Sequence, residues 1–307
     1  MDGKTLNYLK GQQLWQAVIH TTASALSSGA LHSIPTRSLV QRERLGNLDL
    51  DFQIRVVENL VRKSEEMKRR AAQAPAAKDF NPFLPYDPNL YVGELTDHYR
   101  CLLNKFNVME HHILMVTNRF VTQLEPLNQD DFLAAQLCLE AHEGLVFYNG
   151  GAAAGASITH KHLQMVPMPL TQASPFPFHQ LLTAGDLAPG EIVSSALPFP
   201  HRVTATAWSD DTENCALRNW QHYREMTRQL SLLPDDEGLS LPHNLLLTRD
   251  RLWVVPRRCE RHEGLAVNAL GFAGTLLVKN DQQLQALQEM GCLSVLKAVA
   301  QPDVPRG

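Results

Sequence analysis

His160, His162 and Gln164 stand two residues apart, directly after the small-residue run Asn149-Gly-Gly-Ala-Ala-Ala-Gly-Ala-Ser157. Ile158 to Pro167 has no helical apolar period and reads as a strand, in which residues i, i+2 and i+4 share a face. The two imidazoles and the amide are therefore expected to project together. The upstream loop offers backbone N–H groups with little side-chain bulk to keep an anion away. A neutral imidazole can attack an α-phosphorus and carry the nucleotidyl group as a phosphoramidate, which splits one displacement into two easier ones. A polyphosphate leaves readily, so such a site chiefly needs in-line positioning and donors for the nonbridging oxygens. The loop N–H groups, Ser157 and Gln164 suit that task. His162, at the centre of the face, is the better-placed nucleophile, and His160 orients or buffers it. The nucleophile's second nitrogen must donate to a carbonyl or similar acceptor.

Other readings compete. A His-x-His pair can be two polar residues on a half-exposed strand, and the loop alone can be a helix C-cap followed by a turn. The pair can also supply two zinc ligands, with His98, His111, His112 or His142 as a third. No Asp or Glu completes a catalytic set and Gln is a poor zinc ligand, so no protein-bound metal is expected. His111-His112 is assigned to a hairpin turn, and Lys161, on the opposite face, to solvent. A Walker-type phosphate loop and a G-x-S-x-G nucleophile elbow are both absent.

The rest of the chain must position this stretch. Its 307 residues, 44% of them hydrophobic, suit one large domain or two closely packed lobes. A net charge of −4 and a pI near 6.3 give no general attraction for nucleic acid or an anionic membrane. Any phosphate-bearing partner must be captured locally, and a small ligand is expected. Cys101, Cys138, Cys215, Cys259 and Cys292 form no paired framework and read as reduced thiols. No basic, apolar leader and no apolar run of roughly 20 residues is present, so the expected location is cytoplasmic.

Gln12 to Leu31 reads as a helix ending at Gly29, and Phe52 to Val57 as a strand. Asn81 to Pro88, with three prolines, is an extended rim rather than a helix. Tyr99 to Phe106 and His112 to Thr117 predict a hairpin. Asn128 is a plausible N-cap for a helix carrying Phe132, Leu137, Ala141 and Leu145, ending near Asn149-Gly150. Pro167 to Pro200 wraps the surface or links lobes, and Arg218 to Leu233 is helical. A second hairpin spans Asn244 to Thr248 and Leu252 to Pro256, and a terminal helix runs from Asp281 to Val299.

Gly155-Ala-Ser-Ile-Thr-His-Lys-His-Leu-Gln164 resembles the active-site strand of ATP adenylyltransferases, the diadenosine tetraphosphate (Ap4A) phosphorylases of the histidine triad superfamily. Asn81-Pro-Phe-Leu-Pro85, Val92-Gly-Glu-Leu95, Leu103-Asn-Lys-Phe106, His112-Ile-Leu-Met-Val-Thr117, Asn244-Leu-Leu-Leu-Thr248 and Asn268-Ala-Leu-Gly-Phe-Ala-Gly274 are similar to family segments in family order. The resemblance spans roughly residues 50 to 280 and leaves out the first ~45. It implies a histidine triad type of α+β fold, an antiparallel sheet with packed helices. The implied organisation is a helical extension over 1–45, a catalytic portion over 46–180 and a C-terminal portion over 181–307, packed as one unit.

The implied reaction is phosphorolysis of Ap4A to ATP and ADP through adenylylated His162, with inorganic phosphate as acceptor. Within the superfamily, histidine at the third position of the face goes with hydrolysis and glutamine with transfer, so Gln164 favours transfer. The resemblance places Gln164, Asn149, Gly155, Ala156, Ser157 and Ile158 at the nucleotide phosphates. It adds Lys63 as a nucleotide-binding lysine, Gly93 and Glu94 at the rim, and Asn268, Ala269, Leu270, Thr275 and Lys279 as further substrate contacts. Thr275 stands where the pattern often has methionine, and Ile158-Thr159 replaces a more polar pair. Galactose-1-phosphate uridylyltransferases share the His-x-His-x-Gln face, but Lys161 replaces their usual proline and their paired-cysteine metal site is missing. A dinucleotide hydrolase, a sugar-1-phosphate nucleotidyltransferase and a noncatalytic nucleotide-binding regulator are the alternative functions. No tightly bound cofactor is expected, and a divalent cation such as Mg2+ would arrive with the substrate.

Overall fold

A computed structural model describes residues 8–57, 81–183, 187–188 and 190–300. Helix α1 (Gly11–Ser28) buries Leu14, Val18 and Ala25, which share one face at helical spacing. Gly29 ends it in the left-handed conformation at φ 73°, its N–H capping the Ala25 and Leu26 carbonyls. Strands β1 (Thr36–Leu45) and β2 (Leu48–Val57) follow as an antiparallel hairpin. The N-terminal segment expected to be helical thus ends in a strand, because Thr36 to Leu45 pairs along the whole of β2.

Next come β3 (Tyr91–Glu94), β4 (Tyr99–Leu103), β5 (Ile113–Thr117), α2 (Gln129–Ala141), β6 (Gly144–Gly150), β7 (His162–Pro167) and the short α3 (His179–Thr183). They are followed by β8 (Ile192–Val193), β9 (Arg202–Ala205), α4 (Thr212–Gln229), β10 (His243–Leu247) and β11 (Arg251–Pro256). A small hairpin of β12 (Arg261–His262) and β13 (Leu265–Ala266) leads to a 3-10 turn at Ala269–Ala273. Strand β14 (Thr275–Val278) and helices α5 (Asp281–Met290) and α6 (Cys292–Val299) complete the described chain.

Nine strands form one antiparallel sheet in the order β3-β4-β5-β7-β6-β10-β11-β9-β8. Residues before and after position 180 share it, since β10 pairs with β6. Alternation along the central strands divides the core. Val146, Tyr148, Leu163, Met165, Leu245 and Leu247 pack with Leu14 and Val18 of α1, Phe132 and Leu139 of α2, and Tyr223 and Met226 of α4. Leu145, Phe147, Val166, Leu246 and Val255 face the other way, toward Phe52 and Ile54 of β2, Leu270 and Phe272 of the 3-10 turn, and Val295 of α6. There β14 runs parallel to β2 and antiparallel β1 completes a three-stranded second sheet.

Two expected helices end earlier. Asn128 does cap α2, in a reciprocal capping box with Asp131, but the helix stops at Ala141 and residues 144–150 are a strand. Gly144 allows that close packing, since a Cβ there would lie 2.8 Å from Met165 Cε and 2.9 Å from the Val166 carbonyl. The aliphatic and aromatic run from Leu145 to Tyr148 then fits a strand buried on both faces. At the C-terminus Gly291, at φ 85°, splits the single expected helix into α5 and α6. The Glu43 carboxylate of β1 accepts the N–H groups of Cys292 and Leu293 at the new helix start. Among the described residues no helix is long and apolar enough to cross a membrane.

Candidate active site

The histidine strand begins later than its sequence predicts. His160 forms only an isolated bridge to Thr122, and regular pairing starts at His162. On the β6 side pairing stops earlier still, because the buried carboxamide of Gln123 takes the place of a rung of the ladder. The last pair of β6 and β7 is Phe147 with Gln164, so in that register Tyr148 would face Leu163 and Asn149 would face His162. Instead Gln123 Oε1 accepts from the His162 backbone N–H at 2.8 Å, and its Nε2 donates to the carbonyls of Asn149 at 2.9 Å and His162 at 3.2 Å. The strands are held apart at the candidate nucleophile while the His162 N–H and the Asn149 and His162 carbonyls keep a partner in the carboxamide. Sequence reasoning missed Gln123, which sits in no motif.

His162 is 6% exposed, with the Phe83 ring edge-on at 5.3 Å between centroids. Its Nδ1 lies 2.8 Å from the His160 carbonyl, which can only accept, so Nδ1 carries the proton. Nε2 makes no hydrogen bond among the described residues and keeps its lone pair. Burial pushes the imidazole down to about 4, against the opposing pull of the His160 carbonyl. The acceptor required by the sequence argument is thus the neighbouring main chain.

His160 itself is fully buried and its ring is committed. Nε2 lies 3.0 Å from the carbonyls of both Thr117 and Arg119 and 2.8 Å from the Thr117 hydroxyl. Asn81 accepts from the Phe83 N–H through Oδ1 and places its Nδ2 2.9 Å from His160 Nδ1. Its ring therefore belongs to the wall of the site, while its carbonyl orients His162. With both ring nitrogens of His160 engaged, the His-x-His pair cannot chelate as it stands, and no group of three or more His, Cys, Asp or Glu among the described residues could hold a metal ion.

Lys161 overturns its expected solvated role: it is 1% exposed and its ammonium lies 2.9 Å from Asp131 Oδ2 and 3.1 Å from the Pro126 carbonyl. The opposite face of the strand is covered by the N-terminus of α2, where the Asp131 carboxylate also accepts from Tyr99 Oη and the Asn128 N–H.

On the site face, Gln164 Oε1 lies 2.9 Å from His112 Nε2. Asn149, 3% exposed, accepts through Oδ1 from Asn244 Nδ2 and from the Ala269 N–H, both at 2.9 Å. Arg257 fixes Asn244 in turn, donating to its Oδ1 at 2.6 Å and to the carbonyls of Ala154 at 3.1 Å and Val267 at 2.9 Å. With its carbonyl taken twice, Asn149 keeps its amide hydrogens for another acceptor. The same bonds bring the Ala269 main chain against Asn149, while Asn268 caps the turn through Leu270 N–H.

The small-residue loop differs from a bare anion cradle. The N–H groups of Ala154, Gly155 and Ala156 close a 3-10 turn onto Gly151 and Ala152 carbonyls. Those of Ala152, Ala153, Ser157, Ile158 and Thr159 make no hydrogen bond among the described residues, so open donors lie at the start of the turn as well as at the loop's end. Nor is the loop a helix C-cap, because Asn149-Gly150 ends a strand. Gly155 is required by its φ of 96° and by contact, since a Cβ there would lie 3.0 Å from the Val267 carbonyl.

The remaining candidates are spread more widely. Gly93 and Glu94 lie on β3, at the sheet edge and three strands from β7, where Glu94 accepts from Asn118 and Tyr91. Leu270 is buried behind Asn268. Thr275 is buried on β14 with its hydroxyl unpartnered among the described residues, and Lys279 is exposed just beyond that strand. No hydrogen bond joins either to the β6–β7 face. Lys63 lies outside the described residues.

Residues 4–184 match the model of the Ap4A phosphorylase N-terminal domain, and residues 195–302 that of the ATP adenylyltransferase C-terminal domain. The first match begins well before residue 50, where the sequence resemblance was taken to start. Protein APA1 of Saccharomyces cerevisiae is 28% identical over 285 residues, 87% of each chain. Diadenosine 5',5'''-P1,P4-tetraphosphate phosphorylase 2 of the same yeast is 30% identical over 250 residues, covering 73% of this chain and 76% of its own. The crystal structure of yeast Ap4A phosphorylase Apa2 superposes with a TM-score of 0.77 at 24% identity, covering 97% of this chain and 98% of that one. The α+β architecture with its large antiparallel sheet is thus the fold of that enzyme.

Proposed function

Because the chain belongs to the family of Ap4A phosphorylases and ATP adenylyltransferases, we propose that it cleaves Ap4A with inorganic phosphate to ATP and ADP, reversibly, through an adenylyl group carried on His162. One observation carries the assignment of the nucleophile: Nδ1–H is held by the His160 carbonyl, which leaves the Nε2 lone pair free. In the first step Nε2 forms a bond to the α-phosphorus, the bridging P–O bond breaks, and ATP departs. The proton stays on Nδ1, hydrogen-bonded to the His160 carbonyl, and the resulting phosphorylated imidazolium is a good leaving group. In the second step a phosphate oxygen attacks the same phosphorus, the P–N bond breaks, and ADP forms with His162 restored.

The donor groups fit that charge. The amides of Gln164 and Asn149 have their carbonyls engaged, and the N–H groups of Ser157 and Ile158 are open, so each can bond a nonbridging oxygen. Gln164 has no ionisable proton to donate, which suits a leaving group that needs no general acid. A divalent cation enters on the polyphosphate in this reading, and a cytoplasmic setting supplies ATP and phosphate.

The test offers Ap4A with and without phosphate. Phosphate-dependent ATP plus ADP, abolished in His162→Ala, is the expected outcome. Equal cleavage without phosphate indicates a hydrolase, turnover only of a sugar nucleotide a sugar-phosphate transferase, and binding without turnover a regulator.

A further inference from the structure

A carboxamide beside a phosphate can help or harm: its NH2 donates to a nonbridging oxygen, whereas its carbonyl repels one. Which end Gln164 presents is decided by a chain of hydrogen bonds that begins at the main chain. The Phe106 N–H can only donate, and it lies 3.2 Å from Asn104 Oδ1. Asn104 must then offer its Nδ2, which lies 3.1 Å from His112 Nδ1. A ring nitrogen that accepts leaves the other as the donor of a neutral imidazole, and His112 Nε2 lies 2.9 Å from Gln164 Oε1. Every link has one polarity, and the last leaves the Gln164 NH2 without a partner among the described residues. His112 is 6% exposed, packs against the Phe147 ring at 5.8 Å, and is pushed down to about 4 by burial, so the neutral ring persists at physiological pH.

We propose that His112 is a positioning residue of the transfer reaction: as the Nε2–H tautomer set by Asn104, it holds the Gln164 carbonyl away from the α-phosphate and aims the amide hydrogens at it. This rests on the transferase reading above, and it gives work to a histidine that the sequence placed in a hairpin turn.

A double-mutant cycle tests it. His112→Phe keeps ring volume and removes the donor, and is expected to lower kcat for Ap4A phosphorolysis by about 10- to 100-fold with KM within about twofold, an oxyanion-donor effect. In a Gln164→Met background the same change should cost less than about twofold, because the amide it orients is gone. Equal losses in both backgrounds, or no loss in the first, overturn the proposal. A second measurement does not depend on turnover: 15N NMR of the wild-type protein should show His112 protonated at Nε2 and bare at Nδ1 at neutral pH. The opposite tautomer or an imidazolium overturns it. Should the wild-type protein cleave no Ap4A, the transferase reading falls, while the tautomer still decides whether the lock exists.

Discussion

His162 is kept reactive by two opposed features of its own surroundings. Burial disfavours the imidazolium and holds the group down to about 4, while the His160 carbonyl fixes the proton on Nδ1 without saturating Nε2. The proposed nucleophile is therefore unprotonated across the physiological range. The kcat/KM for Ap4A should stay level from pH 8 to about 5 and fall with a midpoint near 4. A pH–rate profile with an acid limb near the ordinary histidine value, about 6.5, would remove burial as the activating device. At this scale much of the candidate site's geometry is legible in the sequence: spacing puts His162 and Gln164 on one face, and the need for a carbonyl acceptor follows from the chemistry. Lys161 was misplaced because alternation tells which face a side chain takes but not whether that face is covered. Gln123 and His112 reach the site strand across long sequence separations, which no local pattern announces, although Asn104 lies only eight residues from His112.

The elements around the site explain why β7 cannot shift along its neighbours. A slip of one residue would turn His162 and Gln164 into the helical face and bring the Lys161 ammonium out of its ion pair. The pair is buried at both ends, with the lysine and aspartate side chains 1% and 0% exposed. Removing one partner strands the other charge away from water. Asp131→Ala should thus cost ~3–5 kcal/mol in urea unfolding, and should also remove the box that starts α2. Combining Asp131→Leu with Lys161→Met should recover most of the ion-pair component, since an apolar pair of similar size needs no desolvation. If the double variant is no more stable than Asp131→Ala alone, the cap and not the charge governs this contact. The predicted helix through Leu145 failed for a related reason. Apolar residues from Phe132 onward fit both a helix and a strand buried on two faces, and only the sheet partners of Gly144 to Gly150 decide between them.

Across the described molecule the large sheet keeps one face for α1, α2 and α4 and the other for the second sheet, α6 and the site, and the histidines buried between these layers fold neutral. His112 and His162 are both held down to about 4 by burial, below the ordinary value of about 6.5. As pH falls through 6.5 the unfolded chain takes up protons that the folded one refuses. Stability is therefore complete above the unfolded value and declines until the folded groups titrate near 4. Each such histidine adds up to ~1.4 kcal/mol per pH unit to that slope. Other groups contribute to the same decline, including the buried His243, which burial also pushes down. The comparison that isolates one group is therefore wild type against His112→Phe, by urea unfolding at pH 7, 6 and 5. The variant should be less stable at pH 7, yet its slope between pH 6 and 5 should be shallower by about 1 kcal/mol per pH unit. Parallel curves would mean that His112 takes up its proton as readily in the folded protein as in the unfolded one, and an imidazolium there has no lone pair to accept from Asn104. The same burial that arms the nucleophile thus sets an acid limit on the fold that holds it.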